Sequence, residues 1–459
     1  MGLTSAQDKS YRFDIVIAFE ALRRCPAKKL EETDLFKHRK FTAAVLGLGL
    51  AVITQAALAQ TTADIDLLTW LGGPDRKVLD DLVAGFEAKH PDLTVKISVV
   101  TSQGDARGGM RTALMGGEKP DLISNTWPAF RKELADAGIL RDMSSVWAEY
   151  GWNDAYPATW QEISSTGGVV YGIPYIFGYR SGIWHVPGDL GKIGLDAFPA
   201  EYEDFLATFQ PLRDAGFAEP IVMPAKIYAH AEWFESLLLR IGGPELLDQL
   251  AAHEIEWTDE RVAEALRQYA RLFEAGCCGA PQLMNATHWD EGADRIFVER
   301  SANFLLIGMW INARAQSQYG LKPGTDFAVA KFPALGKGHD TASIVDAKEI
   351  LASSVGDNPE GANLFLSYVV SKEGANIIAK AGFTTPSSMV DTSIYDSVAA
   401  SSIEYVKAGP VHFVLGDMLP GSLVDEYRLA LQKFVADPTE AQILPTLQQI
   451  EAAADRSYK

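Results

Sequence analysis

Cysteine is scarce in this chain, with three residues in 459: Cys25, Cys277 and Cys278. So few exclude a disulfide-stapled scaffold, and no metal-ligand spacing accompanies them, so neither a metal nor a cofactor is expected. Cys277 and Cys278 adjoin within Gly276-Cys277-Cys278-Gly279. Neighbouring cysteines close only a strained eight-membered ring, which makes two buried thiols the expectation. Basic charge is in deficit as well: 41 Lys+Arg face 60 Asp+Glu, for a net charge of −19. An acidic surface repels phosphate backbones and anionic headgroups, which excludes nucleic acid and membrane surfaces as partners. Internal repeats and low-complexity tracts are also missing, which excludes an array.

Long apolar runs are wanting too. The run from Phe41 to Ile53 is too short to span a bilayer comfortably. It follows the basic cluster Lys37-His38-Arg39-Lys40 and precedes Ala57-Leu58-Ala59. A basic flank, a short apolar stretch and small residues at −3 and −1 define a secretory signal over 36–59, cut after Ala59. No cysteine follows the cut, so a soluble periplasmic protein without a lipid anchor is expected. Residues 1–35 precede the leader awkwardly and suit an over-long start, with the true one near Leu35. Removing 1–59 leaves 32 basic against 54 acidic residues, a net charge of −22.

What is present is apolar and aromatic. A hydrophobic share of 47% over this length supports more than one core, so two α/β domains are the expected minimum. Ile65 to Trp70 reads as a strand, and Val78, Leu79, Leu82, Val83 and Phe86 fall on one face of a following helix. His90-Pro91 stops that helix, and Leu93 to Val100 alternates as a second strand. This β-α-β opening predicts a parallel sheet. A helix around Gly109 to Met115 and a short strand at 119–123 continue the pattern. Further helices are predicted over 202–215, 231–241, 259–275 with Thr258 as N-cap, 289–299, and two in series over 359–381.

The ordered set of these signals resembles the extracellular solute-binding proteins of sugar-importing ABC transporters, of the maltodextrin-binding type. The resemblance rests on Thr69-Trp70, on Phe86-Glu87-Ala88-Lys89-His90-Pro91, on Lys119-Pro120-Asp121-Leu122-Ile123 and on Gly172-Ile173-Pro174-Tyr175. It continues through the stretch from Phe297 to Trp310, then Phe332-Pro333, Ser371-Lys372-Glu373-Gly374 and Gly382-Phe383-Thr384-Thr385-Pro386. Departures are Trp184-His185 in place of a Tyr-Asn pair, and Ser343-Ile344-Val345-Asp346 in place of Gly-Gly.

The resemblance implies a two-lobed α/β periplasmic-binding-protein fold of type II, each lobe a mainly parallel sheet flanked by helices. Three crossings near 171–174, 350–354 and 416–420 would form the hinge. One lobe would hold 61–172 plus 354–416, the other 173–353 plus 417–459. It further implies a monomer that takes a small carbohydrate into the interlobe cleft and hands it to ABC permease subunits, not an enzyme.

A sugar site needs flat apolar plates and planar polar groups. Trp70 and Trp127 end predicted parallel strands, where ligands gather in open α/β sheets. Trp310 follows Gly308 in the family's aromatic slot. Tyr175 and Tyr179 flank the first crossing, and His230 and Trp233 begin a helix near a position where the family often contributes an aromatic. Asp346 is a carboxylate in an otherwise apolar strand, suited to accept two hydroxyls. For each of these residues core packing or capping is the competing assignment. Two other readings stand beside this one: the same fold holding a polyamine or a phosphorylated metabolite, for which only Arg180 is well placed, and a secreted glycoside-active enzyme. The last would require two carboxylates across one bond, and no motif pairs them.

Overall fold

A computed structural model describes residues 63–101 and 106–459. The leader and the residues before it lie outside that range. Strand β1 (Ala63–Thr69), helix α1 (Gly73–Lys89) and strand β2 (Leu93–Val99) form the expected unit, with β1 and β2 parallel from Ala63↔Leu93 to Thr69↔Val99. Pro74 sits in the first turn of α1, where no N–H is required, and Val78, Leu79, Leu82, Val83 and Phe86 bury its inner face. At the other end the His90 N–H donates to the Phe86 carbonyl. Helix α2 (Ala106–Met115) then leads to strand β3 (Leu122–Asn125), which joins β1 in parallel. Strand β4 (Gly172–Tyr179) is buried along its whole length. A Cβ on Gly172 would stand 2.1 Å from the Ile350 carbonyl oxygen, so glycine is what lets these two backbones meet.

The second half of the fold contains strands β5 (Ile183–His185) and β6 (Glu219–Ile221), helices α3 (Ala229–Ala251), α4 (Glu260–Glu274) and α5 (Trp289–Phe297), strand β7 (Ala302–Leu306), helix α6 (Trp310–Ser317) and strand β8 (Ala328–Ala330). Its sheet has the order β8-β5-β7-β6. Only β6 and β7 are parallel; β5 runs opposite to both β8 and β7. The expected mainly parallel sheet is therefore corrected to a mixed one here. The reason is topological: β5 follows β4 with no helical crossover and slots, reversed, between two strands that α6 connects.

Local expectations shift in similar ways. The helix predicted over 202–215 is two, Tyr202–Ala207 and Phe209–Asp214, because Pro211 lacks the N–H that would bond the Ala207 carbonyl. Helix α3 runs ten residues past its predicted end through a kink at Gly243 (φ 70°), ahead of Pro244. Asp259, not Thr258, caps α4, its carboxylate accepting the Arg261 N–H. Cys277 and Cys278 are joined by a disulfide, against the expectation of thiols. Their loop is pinned from several sides. The Arg213 guanidinium donates to the carbonyls of Gly276, Ala218 and Cys278, and the Ile221 N–H donates to that of Cys277.

The chain returns through β9 (Ser343–Ala352), helices α7 (Pro359–Val370) and α8 (Lys372–Lys380), strand β10 (Val411–Phe413), and helices α9 (Leu415–Met418), α10 (Gly421–Ala436) and α11 (Glu440–Ser457). Strand β9 pairs antiparallel with β4 and β3 and, at its start, parallel with β10. It links two separate hydrophobic cores. Its Ile344 packs in one with Trp233, Trp257 and Tyr427; its Ile350 packs in the other with α1, α7 and Phe383. Helix α6 leaves the second sheet, yet its Ala313 joins the core of α1, and the Asn312 side chain donates to the Gly382 carbonyl. Among the described residues no helix is long and apolar enough to cross a membrane.

Candidate ligand cavity

Where β1 and β3 end side by side, a cavity of about 420 Å³ opens. Parallel neighbours finish at the same level, so the residues just beyond them meet. Trp70 and Trp127 have ring centroids 4.4 Å apart with planes inclined by 34°. Asn125 fixes the second of these by accepting the Trp127 N–H at 3.3 Å and donating to its carbonyl at 3.1 Å. A second indole pair, Trp289 and Trp310, comes from the first residues of α5 and α6, 5.7 Å apart at 71°. A Cβ on Gly308 would lie 2.1 Å from the Trp310 ring, so the glycine makes room for the indole.

Charged groups line the same cavity. Asp346 and Lys348 stand two apart on β9 and so share a face. Lys348 pairs with Asp75 of α1 at 3.0 Å, Arg180 at the end of β4 pairs with Asp346 at 3.2 Å, and Arg428 of α10 lies 3.8 Å from Asp417 of α9. Arg180 also pairs with Glu232 of α3. Its guanidinium carbon is 4.7 Å from the Trp310 ring centre, where Lys348 Nζ approaches to 5.4 Å, and Arg314 lies 5.5 Å from Trp289. Burial pushes the Asp417 carboxyl and the Tyr228 phenol up, opposed in both by Arg180 and Arg428. Trp310 Nε1, Thr126 Oγ1 and Arg180 Nε are buried and make no hydrogen bond within the protein. A polyhydroxylated solute could satisfy such donors and acceptors.

Of the residues expected at the site, Trp70, Trp127, Trp310 and Asp346 line this cavity. The other four do not. Trp233 is fully buried against Phe205 and Phe332. His230 is buried one turn earlier, its Nε2–H donating to the Arg428 carbonyl at 2.9 Å, and burial lowers its pKa to about 4. Tyr175 sits in the core of α1, and Tyr179 in a core with Trp184 and Phe327, its hydroxyl accepting the Phe332 N–H at 3.3 Å. Burial raises both phenol pKa values. Tyr228, just before the first turn of α3, lines the cavity where His230 and Trp233 do not.

Several lining residues escaped sequence reading, among them Asp75, His288, Trp289, Lys348, Asp417 and Arg428. Lys348 had a usable signal, since it stands two residues from Asp346 in a strand. Asp417 and Arg428 had none, because only the tertiary fold brings them near Arg180. The expectation that Arg180 alone could meet a phosphate is likewise corrected, as Arg314, Lys348 and Arg428 join it.

The model of the bacterial extracellular solute-binding protein family matches residues 72–376. An osmoprotective compounds-binding protein of Synechocystis sp. is 22% identical over 351 residues, covering 72% of this chain and 80% of that one. A probable sugar-binding periplasmic protein of Mesorhizobium japonicum is 22% identical over 402 residues, 84% of this chain and 93% of its own. Among solved structures, the bacterial solute receptor AcbH, described as exclusively preferring β-D-galactopyranose, superposes with a TM-score of 0.78 at 18% identity, over 86% of this chain and 99% of that one. A maltose-bound protein of T. maritima gives 0.68 at 17% identity, over 85% and 99%. These likenesses establish the two-lobed α/β fold. The family match spans well over half the sequence, and the chain belongs to the bacterial extracellular solute-binding proteins.

Proposed function

We propose that the chain binds a carbohydrate in this cavity and delivers it, unaltered and as a monomer, to the permease subunits of an ABC importer. One observation carries the reading: two indole pairs line a cavity of about 420 Å³ whose other lining residues include carboxylates and guanidinium groups. Indole faces suit the C–H faces of a sugar ring, and planar charged groups suit its rim of hydroxyls. The charge balance favours a neutral ligand. Arg180, Lys348 and Arg428 each stand beside a carboxylate, so a phosphate would have to displace one, and a polyamine would meet four cations against Asp75, Asp346 and Asp417.

The lobes are assigned as 61–172 plus 354–416 and 173–353 plus 417–459, with crossings near 171–174, 350–354 and 416–420. The β4–β9 pair, which reaches from one core to the other, supports the first two crossings. Helix α6 falls in the second lobe by chain order while packing on α1 of the first. Closure of the lobes on the solute would form the surface that the permease reads. The leader over 36–59 would export the chain to the periplasm without a lipid anchor, and N-terminal sequencing of the exported protein should begin at Gln60.

A thermal-shift panel of D-galactose, maltose, trehalose, spermidine and glucose 6-phosphate tests the ligand class. A solute at a hundred times its Kd adds about 2.7 kcal/mol to stability. Stabilisation by a sugar, with the sugar recovered intact, is expected; a response to spermidine or glucose 6-phosphate alone overturns the reading.

A further inference from the structure

We propose that Glu232, which does not itself line the cavity, is a positioning residue: it grips Arg180 from α3 and sets how that guanidinium lies across Trp310, and thereby how tightly the solute is held. The part of this concerning the solute rests on the carbohydrate reading above. The geometry is that of a side chain held at two points. Arg180 is 6% exposed and Glu232 3%. Arg180 Nη2 donates to Glu232 Oε1, while Nη1 donates to Asp346 Oδ2 at 3.2 Å. Helix α3 and strand β9 therefore pull on the two ends of one fork, with the Trp310 ring 4.7 Å and the Tyr228 ring 6.0 Å from its carbon. Arg180 Nε makes no hydrogen bond within the protein and is left as a donor for the solute. A planar fork held at two points offers its third nitrogen in a fixed direction.

The grip depends on the charge of Glu232. Burial pushes its carboxyl up to about 8, against the pull of Arg180 and with help from Glu235 and Asp417. The other groups facing this cluster are Asp346 of β9, Arg428 and Tyr427 of α10, and Tyr228 and His230 at the start of α3. Glu235 also titrates close by, at about 7, but its carboxylate accepts the N–H groups of Leu415 and Gly416 and the Tyr427 hydroxyl rather than contacting Arg180. As Glu232 ionises, a bond from the cationic guanidinium to a neutral carboxyl becomes an ion pair, and Arg180 is held harder.

Tryptophan emission of the sugar-free chain, followed from pH 6 to 9.5, should show a step centred at about 8. The step should be lost in Glu232→Gln. Should that variant fail to fold, Glu232→Asp decides, since a carboxyl one methylene shorter must move or abolish the step. For D-galactose or maltose, affinity should rise with pH across this range, and Glu232→Gln, which keeps an acceptor for Arg180 but loses the carboxylate charge, should bind about tenfold more weakly at pH 9 with a flat profile. A step that survives Glu232→Gln, or is unmoved in Glu232→Asp, or no step at all in the native chain, overturns the proposal. A native chain that binds no sugar yet shows the step loses the carbohydrate reading and keeps Glu232 as the residue that positions Arg180.

Discussion

The Arg180 guanidinium lies across the indole of Trp310, its carbon 4.7 Å from the ring centre, and Lys348 approaches the same ring to 5.4 Å. An indole attended by two cations is fixed before any solute arrives, and solute stacking has then little side-chain freedom left to remove.

Trp310→Ala should therefore weaken sugar binding about tenfold or more, the upper worth of one aromatic contact beyond the area it buries. The sugar-free melting temperature should move only a few degrees, because the residue is half-buried at the edge of two cores. Isothermal titration with the best sugar of the panel measures the first and calorimetry the second. Unchanged affinity would remove Trp310 from the site.

The sequence made strand ends legible and helix rotations illegible. Trp70 and Trp127 were identifiable because a β-α-β pattern fixes where parallel strands stop, and whatever follows must lie at that edge of the sheet. Asp346 stood out as a charge within an apolar strand. Trp233 failed for a different reason. A helix buried on nearly all sides carries no periodic signal, and α3 buries its charged Glu232 and Glu235 as deeply as its leucines. Nothing local tells which face of such a helix meets a ligand and which a core. The same blindness hid the mixed second sheet, since the short strands β5, β6 and β8 bear no mark of their direction.

Arg131 and Glu349 form an ion pair in which both side chains are 2% exposed. Glu349 also accepts from Asn125 Nδ2 at 3.0 Å, and Arg131 also donates to the carbonyls of Ile163 at 3.0 Å and Ser165 at 2.8 Å. Removing one partner strands a charge in the interior, so Glu349→Ala should cost about 3–5 kcal/mol in urea unfolding. A loss under about 1 kcal/mol would mean that water reaches the pair.

The bond between Cys277 and Cys278 encloses no intervening residue. A cross-link stabilises chiefly by closing a loop in the unfolded chain, and here that loop is minimal, so reduction should cost only about 1 kcal/mol. Mass spectrometry of the unreduced chain from Gln60 onward should find these two sulfurs unreactive to alkylation under denaturing conditions, and reactive after dithiothreitol. Alkylation without reductant would restore the two-thiol assignment.

Buried acids also set how stability responds to pH. Burial raises Glu232 from 4.5 to about 8 and Glu235 from 4.5 to about 7, so the folded chain holds protons that the unfolded chain has already released. Their contribution is complete below the unfolded value and is lost as pH climbs through the folded ones. His230 and His185 act the other way: burial lowers both to about 4, so the folded chain gains on the unfolded as pH rises from there to 6.5. The two effects oppose each other below pH 6.5, and above it only the glutamates remain. Urea midpoints should accordingly fall between pH 6.5 and 8.5, and Glu235→Gln, which cannot ionise, should flatten that decline. A midpoint that holds steady or rises across this window would show that the two carboxyls are already ionised in the folded chain, held so by Arg180 and Arg428.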